Sequence, residues 1–515
     1  MTVPSVHIII EYIFNSIDLL VNKKLDQGVE NMKTGKEYIQ DMIDMNFELY
    51  IDGGKISGSE VINHPQVRPM VNAIAETYDM QHEENLQQYL LCTSHLTGET
   101  ISRWAHIPQT VEDNIRKVDI TRFANRRIGM CSFRCIQNSF PAILITAKAI
   151  DEARGTRYFD NATEYIKHYQ KYDLIGCPAI TDAKGDRRVP AHLQDDPDMY
   201  LRVVDRNKEG IVLRGAKLCQ TGSVSSHEKI VLPCITHGPG AEDYAVACAV
   251  PGNAPGIKNI SVRYSQDARR KEELEWDMGN ANFGFHETVV LFEDVFVPWE
   301  RVFMCGEVEF TGMLINLAGG IHRPTTGGCK TGWSDVLIGA VQLIAEYHGI
   351  ANVSHVREKI TDMIMHNEVM YSCGIAACVK SKWYNGVGMI PDMLLGNNAK
   401  YVASKSVYEL VRLAEDVTGG IITTLPSERE FKNPEISDSL ERFYRGAGNT
   451  PAEYIARIVR LIENLTYGAG ALCHSAAHGG GSGQACKLSM YELAKGEPLD
   501  SRVRDAKRLC GIPID

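Results

Sequence analysis

Ile211-Val-Leu-Arg, Lys229-Ile-Val-Leu-Pro, Tyr244-Ala-Val-Ala-Cys-Ala-Val, Ile260-Ser-Val-Arg-Tyr and Thr288-Val-Val-Leu-Phe are short runs rich in β-branched and aromatic residues. Gly, Pro, Asn and Asp punctuate the chain between them. That texture predicts strands rather than helices, and it places a small antiparallel sheet or barrel over about 175–305. On the N-terminal side, Lys36-Glu-Tyr-Ile-Gln-Asp-Met-Ile-Asp-Met and Ala142-Ile-Leu-Ile-Thr-Ala-Lys-Ala-Ile carry the helical period. Long helices return beyond about 306. Ser334-Asp335 is expected to cap a helix starting at Val336, Ile360, Met363 and Ile364 continue the apolar spacing, and further helices cover Val407–Leu413 and Ile458–Leu465. The fold class is therefore α+β. An extension over 1–31 precedes an N-terminal helical domain (32–174), a central β-barrel domain (175–305) and a C-terminal helical bundle (306–515).

At 515 residues the chain buries large cores and divides into two to four domains or subdomains. Its net charge of -11 argues against nucleic acid or an anionic membrane as partner. The 14 cysteines follow no regular framework and no secretory signal precedes them, so they read as reduced thiols in a cytoplasmic protein. The apolar run Val6–Phe14 is interrupted by Glu11 and is too short to cross a bilayer.

Two segments offer soft metal ligands: Gly129-Met-Cys-Ser-Phe-Arg-Cys and Ile321-His-Arg-Pro-Thr-Thr-Gly-Gly-Cys-Lys. Cys131, Cys135, His322 and Cys329 suit zinc or an iron–sulfur cluster, but their spacing is neither a zinc-finger nor a ferredoxin pattern. On a helix, Cys-x₃-Cys puts both sulfurs on one face; two buried core thiols would look the same. His322 and Cys329 flank a Pro-Thr-Thr-Gly-Gly turn whose glycines allow close approach to a bulky cofactor. Two polar stretches follow in the β-rich region. Thr181-Asp-Ala-Lys-Gly-Asp-Arg-Arg is dense in donors, and Arg214-Gly-Ala-Lys-Leu-Cys-Gln-Thr-Gly-Ser-Val-Ser-Ser-His-Glu adds hydroxyls and backbone amides. Each alone reads better as an ordinary hydrated turn, and neither is a phosphate loop of the standard kinds.

Taken together and in order, these segments resemble the 4-hydroxybutyryl-CoA dehydratase branch of the flavoprotein family that also contains 4-hydroxyphenylacetate 3-hydroxylases. Arg412-Leu-Ala-Glu-Asp-Val-Thr-Gly-Gly adds to the match, which runs from about Met32 into the 480s. The resemblance implies an acyl-CoA-dehydrogenase-like fold assembled as a homotetramer, a dimer of dimers. It implies FAD held by Thr181, Lys184, Asp186 and Arg187 and by Gln220, Thr221, Gly222 and Ser223, with Glu415 and Gly419 contacting it across subunits. It further implies a [4Fe-4S] cluster on Cys131, Cys135, His322 and Cys329, and catalytic roles for His322, Lys330, Glu287 and Arg122.

The reaction so implied removes water from a 4-hydroxyacyl-CoA, with a 3-enoyl-CoA isomerase activity beside it. An unactivated C3–H bond must break along with the C4–O bond. One-electron oxidation by flavin, after loss of the more acidic C2 proton, makes the C3 proton removable. His322 is then suited both to hold iron and to act as a base, because imidazole is displaced from iron more readily than thiolate. Two positions depart from the pattern. Thr326 stands where the dehydratase has a tyrosine and Ser475 where it has a glutamate, with His474 and His478 nearby, and this points to another acyl group. The alternatives are an aromatic monooxygenase of the 4-hydroxyphenylacetate 3-hydroxylase type and a non-catalytic scaffold holding structural zinc.

Overall fold

The computed structural model describes residues 29, 32–265, 267–272, 274–476 and 478–514. The expected extension, with the Val6–Phe14 run, lies outside the described residues apart from Val29. Helices open the described chain where capping chemistry dictates. Thr34 and Glu37 form a reciprocal capping box on the helix Gly35–Asp44, and Thr110 and Asp113 do the same for Val111–Ile128. The second helix stops at Gly129, whose φ of 68° is left-handed. Phe140–Arg154 and Tyr158–Lys171 follow and pack on the central sheets.

The expected barrel is corrected: among the described residues the strands form separate sheets and no closed barrel. Six strands run in the order Gly54–Ser57, Glu48–Ile51, Ile257–Ser261, Glu287–Pro298, Gly210–Thr221, Arg202–Arg206. Four more run Val302–Cys305, Val246–Pro251, Glu228–Val231, Gly176–Ala179. The sheets are not purely antiparallel, since Glu48–Ile51 lies parallel to Ile257–Ser261 and Gly176–Ala179 parallel to Glu228–Val231. The first two strands of the six come from the segment expected to be mainly helical. Leu49 and Ile51 point to the core while Glu48 and Tyr50 are half-buried, the alternation of a strand with one covered face. In Glu287–Pro298 the register shifts twice, between Thr288 and Val290 and between Phe292 and Val295, which bends the strand over the core.

In the C-terminal half, Thr326–Tyr347, Ser354–Val379, Met393–Thr418 and Ala452–Thr466 pack around a core that includes Trp333, Leu337, Leu410 and Ile462, whereas Val308–His322 packs on the core of the central sheets through Leu314, Leu317 and Ile321. Two local expectations are corrected here. The Pro-Thr-Thr-Gly-Gly segment is no turn: a short 3₁₀ stretch over Arg323–Thr325 joins two helices, and the second starts at Thr326. Ser334-Asp335 is thus inside a helix, where the Ser334 hydroxyl donates to the carbonyl of Lys330 at 2.8 Å. The glycines serve helix packing instead. A Cβ on Gly328 would stand 2.2 Å from the Val118 carbonyl oxygen, and one on Gly332 2.4 Å from that of Arg122. The helices Val111–Ile128 and Thr326–Tyr347 therefore touch backbone to backbone, which no larger residue permits.

Candidate functional site

Because those two helices touch, the residues just past one and at the start of the other meet. Cys131 and Cys135 lie in the loop after Gly129 rather than on a helix, which corrects the helical reading of Cys-x₃-Cys. Within this loop Phe133 takes a left-handed φ of 57°. Asn125 clamps the two sides: its amide nitrogen donates to the Cys329 carbonyl at 3.0 Å, and its side-chain oxygen accepts from the Ser132 amide at 2.7 Å. Arg134 anchors the far end, buried with its guanidinium 3.9 Å from the Tyr78 ring centre and Nε 2.9 Å from the Thr77 hydroxyl.

Cys131 and Cys329 consequently come within hydrogen-bonding reach of each other, and Cys131 of Cys473 as well. The contact from Cys329 would lower the Cys131 pKa, yet Cys473 and burial push it well up. Cys131 and burial likewise raise Cys329. Burial first, then Cys329, pushes Cys135 up to about 12. His322 ends its helix nearby, and burial with the charges of Lys400 and Arg323 lowers it to about 3, so the ring is neutral at physiological pH. Neutral imidazole is the form that ligates a metal. Among the described residues, however, no three of His, Cys, Asp and Glu are drawn close enough to grip an ion as they stand. The thiols face each other, while His322 lies under the glycine-rich run His478–Gly481: a Cβ on Gly479 would be 3.7 Å from His322 Nε2.

Glu287 sits across from Thr221 on paired strands. The Thr221 hydroxyl donates to its Oε1, and His478 Nε2 lies 3.2 Å from the same oxygen and 3.1 Å from the Thr221 hydroxyl. Glu287 Oε2 is buried without a protein partner, as is Gln220 Oε1 on the adjoining strand. Gly222 needs its φ of 73° for the turn that follows, and Ser223 donates to Asn259 Oδ1 at 2.5 Å. The Thr181 carbonyl accepts from the Leu218 amide at 2.7 Å, tying the Thr181–Arg188 loop to the same strand. Lys184, Asp186 and Arg187 in that loop are exposed. Glu415 and Gly419 end the helix Met393–Thr418, where the Gly419 amide donates to the Glu415 carbonyl at 2.8 Å.

Lys330 is buried and donates to the carbonyls of Cys473 at 3.2 Å and Ser475 at 3.4 Å. Arg122 is placed differently. Its guanidinium makes a two-point pair with Asp335, both contacts 2.9 Å, and a second pair with Glu368, tying three helices together. The Thr326 hydroxyl is turned back onto the Arg323 carbonyl at 2.6 Å. His474 is stacked on Trp333 at 5.0 Å between ring centres, with neither nitrogen partnered among the described residues. Sequence reasoning missed Cys473, Arg323 and Lys400. Lys400 was detectable, because it shares a helix face with Gly396, Ala399 and Ala403, small residues that mark a buried seam.

Family models for the N- and C-terminal parts of 4-hydroxyphenylacetate 3-hydroxylase match residues 34–304 and 311–509. The chain belongs to this family. Within it, the sequence is 38% identical to the 4-hydroxybutyryl-CoA dehydratase/vinylacetyl-CoA-Δ-isomerase of Clostridium aminobutyricum, over 93% of this chain and 100% of that one. A solved oxygen-tolerant archaeal 4-hydroxybutyryl-CoA dehydratase from N. maritimus superposes with a TM-score of 0.90 at 36% identity, covering 94% of this chain and 96% of that one. The oxygenase component of 4-hydroxyphenylacetate 3-monooxygenase, solved with FAD and 4-hydroxyphenylacetate, superposes at 0.82 with 26% identity, over 93% of this chain and 99% of that one. No helix among the described residues is long and apolar enough to cross a membrane.

Proposed function

We propose that this family member is a hydro-lyase that dehydrates a 4-hydroxyacyl-CoA, using FAD and a [4Fe-4S] cluster, with an accompanying isomerase activity on the 3-enoyl thioester. One observation supports this reading above the others. Lys330, Arg323 and Lys400 crowd around His322, and none has a carboxylate within ion-pair reach among the described residues. Buried charge is normally paired. A group carrying the three thiolates of Cys131, Cys135 and Cys329 would supply the missing negative charge, and the neutral ring of His322 completes a donor set of the right softness. For FAD, the unpartnered oxygens of Gln220 and Glu287, with the Gly222 turn beside them, fit a hydrogen-bonding heterocycle.

With both groups bound, flavin supplies one-electron chemistry at the acyl thioester and the cluster supplies Lewis acidity toward the 4-hydroxyl. The chain's own part is positioning and proton transfer. Glu287 keeps Oε1 fixed by Thr221 and His478, leaving Oε2 to accept a proton from the substrate carbon chain. Lys330 faces the thiol loop and offers positive charge to a departing oxygen. Thr326 has its hydroxyl engaged and Ser475 lacks a carboxylate, so turnover of 4-hydroxybutyryl-CoA itself is expected to be slow beside that of another 4-hydroxyacyl thioester. The proposed assembly is a cytoplasmic homotetramer. Exposed apolar side chains on the C-terminal helices support it, among them Met365, Tyr408, Leu488 and Leu509.

Anaerobic purification with iron, sulfide and flavin analysis tests the reading. The expected result is a brown protein with about four iron per chain and bound FAD that forms an enoyl-CoA and water. Flavin without iron, plus hydroxylation of a phenol, would point to the monooxygenase instead; colourless, zinc-loaded protein would overturn the cofactor set.

A further inference from the structure

Lys400 is fully buried in the middle of the helix Met393–Thr418. Its ammonium donates to the carbonyls of Ala476 and His478, each at 3.2 Å. Two other cations hold the same segment: Lys330 at Cys473 and Ser475, and Arg323 at Gly480, 2.9 Å from Nε. The segment needs this help, because Gly479, Gly480 and Gly481 all have left-handed φ values of 71–83° and make no regular hydrogen-bonded structure. What the segment presents is the His478 ring, seated between Thr221, Glu287 and the edge of Phe285, 5.2 Å between ring centres. A prop with no other task would be apolar here, since an ammonium among like charges is disfavoured. What lysine adds at this buried position is its donors to the Ala476 and His478 carbonyls.

We propose that Lys400 is a positioning residue of the site: by fixing the backbone at Ala476 and His478, it sets the distance from the His478 ring to Glu287 and Thr221. The inference takes the proton-transfer role of Glu287 from the proposed function; its own content is the coupling of Lys400 to His478. Lys400 also lends charge beside His322 and His478 holds Glu287 Oε1, but the coupling between the two is measurable without either role.

The test is a double-substitution cycle in the full-length holoenzyme. Lys400→Met and His478→Ala are each expected to lower kcat by about a hundredfold, the scale of a mis-set acid–base group. KM should move far less, and the double variant should be no slower than the slower single one, as for residues acting as a unit. Lys400→Arg, which keeps two donors in reach, should recover part of the loss. Hydrogen exchange of the 476–483 amides, measured without substrate, should quicken about tenfold in Lys400→Met as this segment opens locally. It should stay unchanged in Lys405→Met, an exposed position on the same helix. Lys400→Gln replaces the methionine variant if the latter does not fold. Multiplying kcat losses, or unchanged exchange over 476–483, would overturn the proposal. If the wild-type enzyme turns over no 4-hydroxyacyl-CoA, the proposed function fails and the exchange measurement alone decides the coupling.

Discussion

Arg122 and Lys400 are both buried cations in the helical half of the molecule, and they are balanced in opposite ways. Arg122 spends its guanidinium on the carboxylates of Asp335 and Glu368. Arg460 repeats the pattern with Asp277 and Glu463. Lys400, with Lys330 and Arg323, donates only to carbonyls and an amide, so the positive charge there remains uncompensated by the protein. The first kind of site is a tie between helices. The second is a place prepared for something negative, and it lies beside thiols, an imidazole and an unpartnered carboxylate oxygen.

The largest effect separates the two kinds by stability. Arg122→Met leaves Asp335 and Glu368 facing each other unpaired, and should cost about 3–5 kcal/mol, the range for breaking a buried pair. The shift of the urea midpoint measures it. A loss below about 1 kcal/mol, as at an exposed ion pair, would erase the distinction and return Arg122 to the active-site role that the family resemblance implies.

Lys330→Met should behave in the opposite manner. Removing a buried cation without a carboxylate partner relieves as much desolvation as it loses in hydrogen bonds, so stability should change by no more than about 1 kcal/mol. Turnover should fall by about a hundredfold, the loss typical of one removed electrostatic donor. Equal damage to stability and rate would make Lys330 another tie.

The comparison also shows what could be read in the sequence. The order helix–sheet–helix was legible because strand and helix periods differ and turn residues mark the changes. Closure was not: whether strands form a barrel or two sheets depends on remote pairings, such as Leu49 with Asn259, that no local pattern encodes. The glycines of Thr326-Gly-Gly-Cys looked like a turn because glycine is ambiguous until its neighbour is known, here the backbone of another helix. Thr221 and Glu287 were both singled out, but one in a polar stretch and the other just ahead of a predicted strand, so their pairing was only partly within reach. Which of the segment's histidines faces them was not, because His474 and His478 differ only in what lies opposite: Trp333 for one, Glu287 for the other.

A third cation sharpens the contrast through pH. His106 faces Asp113 at 3.4 Å. Burial alone would lower its pKa, but Asp113 and Cys92 raise it to about 9. Lys400, without a carboxylate, goes the other way, lowered by burial and Lys330 to about 7. A raised histidine stabilises the folded state fully below its unfolded pKa of 6.5, and that contribution is lost as pH rises through about 9. Folding stability should therefore drop by about 3 kcal/mol across that window, and His106→Gln should flatten the drop. A variant as steep as wild type would show that His106 is not held as a cation.

The smallest effect lies in the glycine run itself. Gly480 has a φ of 71°, and a Cβ there would meet nothing nearer than 3.5 Å, the Arg323 and His322 side chains. Gly480→Ala thus costs only the left-handed backbone, about 1–2 kcal/mol. Gly511 offers the matched control, with a φ of 74° and no neighbour within 4 Å. Both alanine variants should lose the same stability. Only the first should slow turnover, by about tenfold, since a shift of a fraction of an ångström at His478 mis-sets its contact with Glu287. Equal rates in the two variants would mean that the run over His322 is a cover whose exact path is indifferent to the chemistry, and the carbonyl-held cations would then be anchoring the segment without directing it.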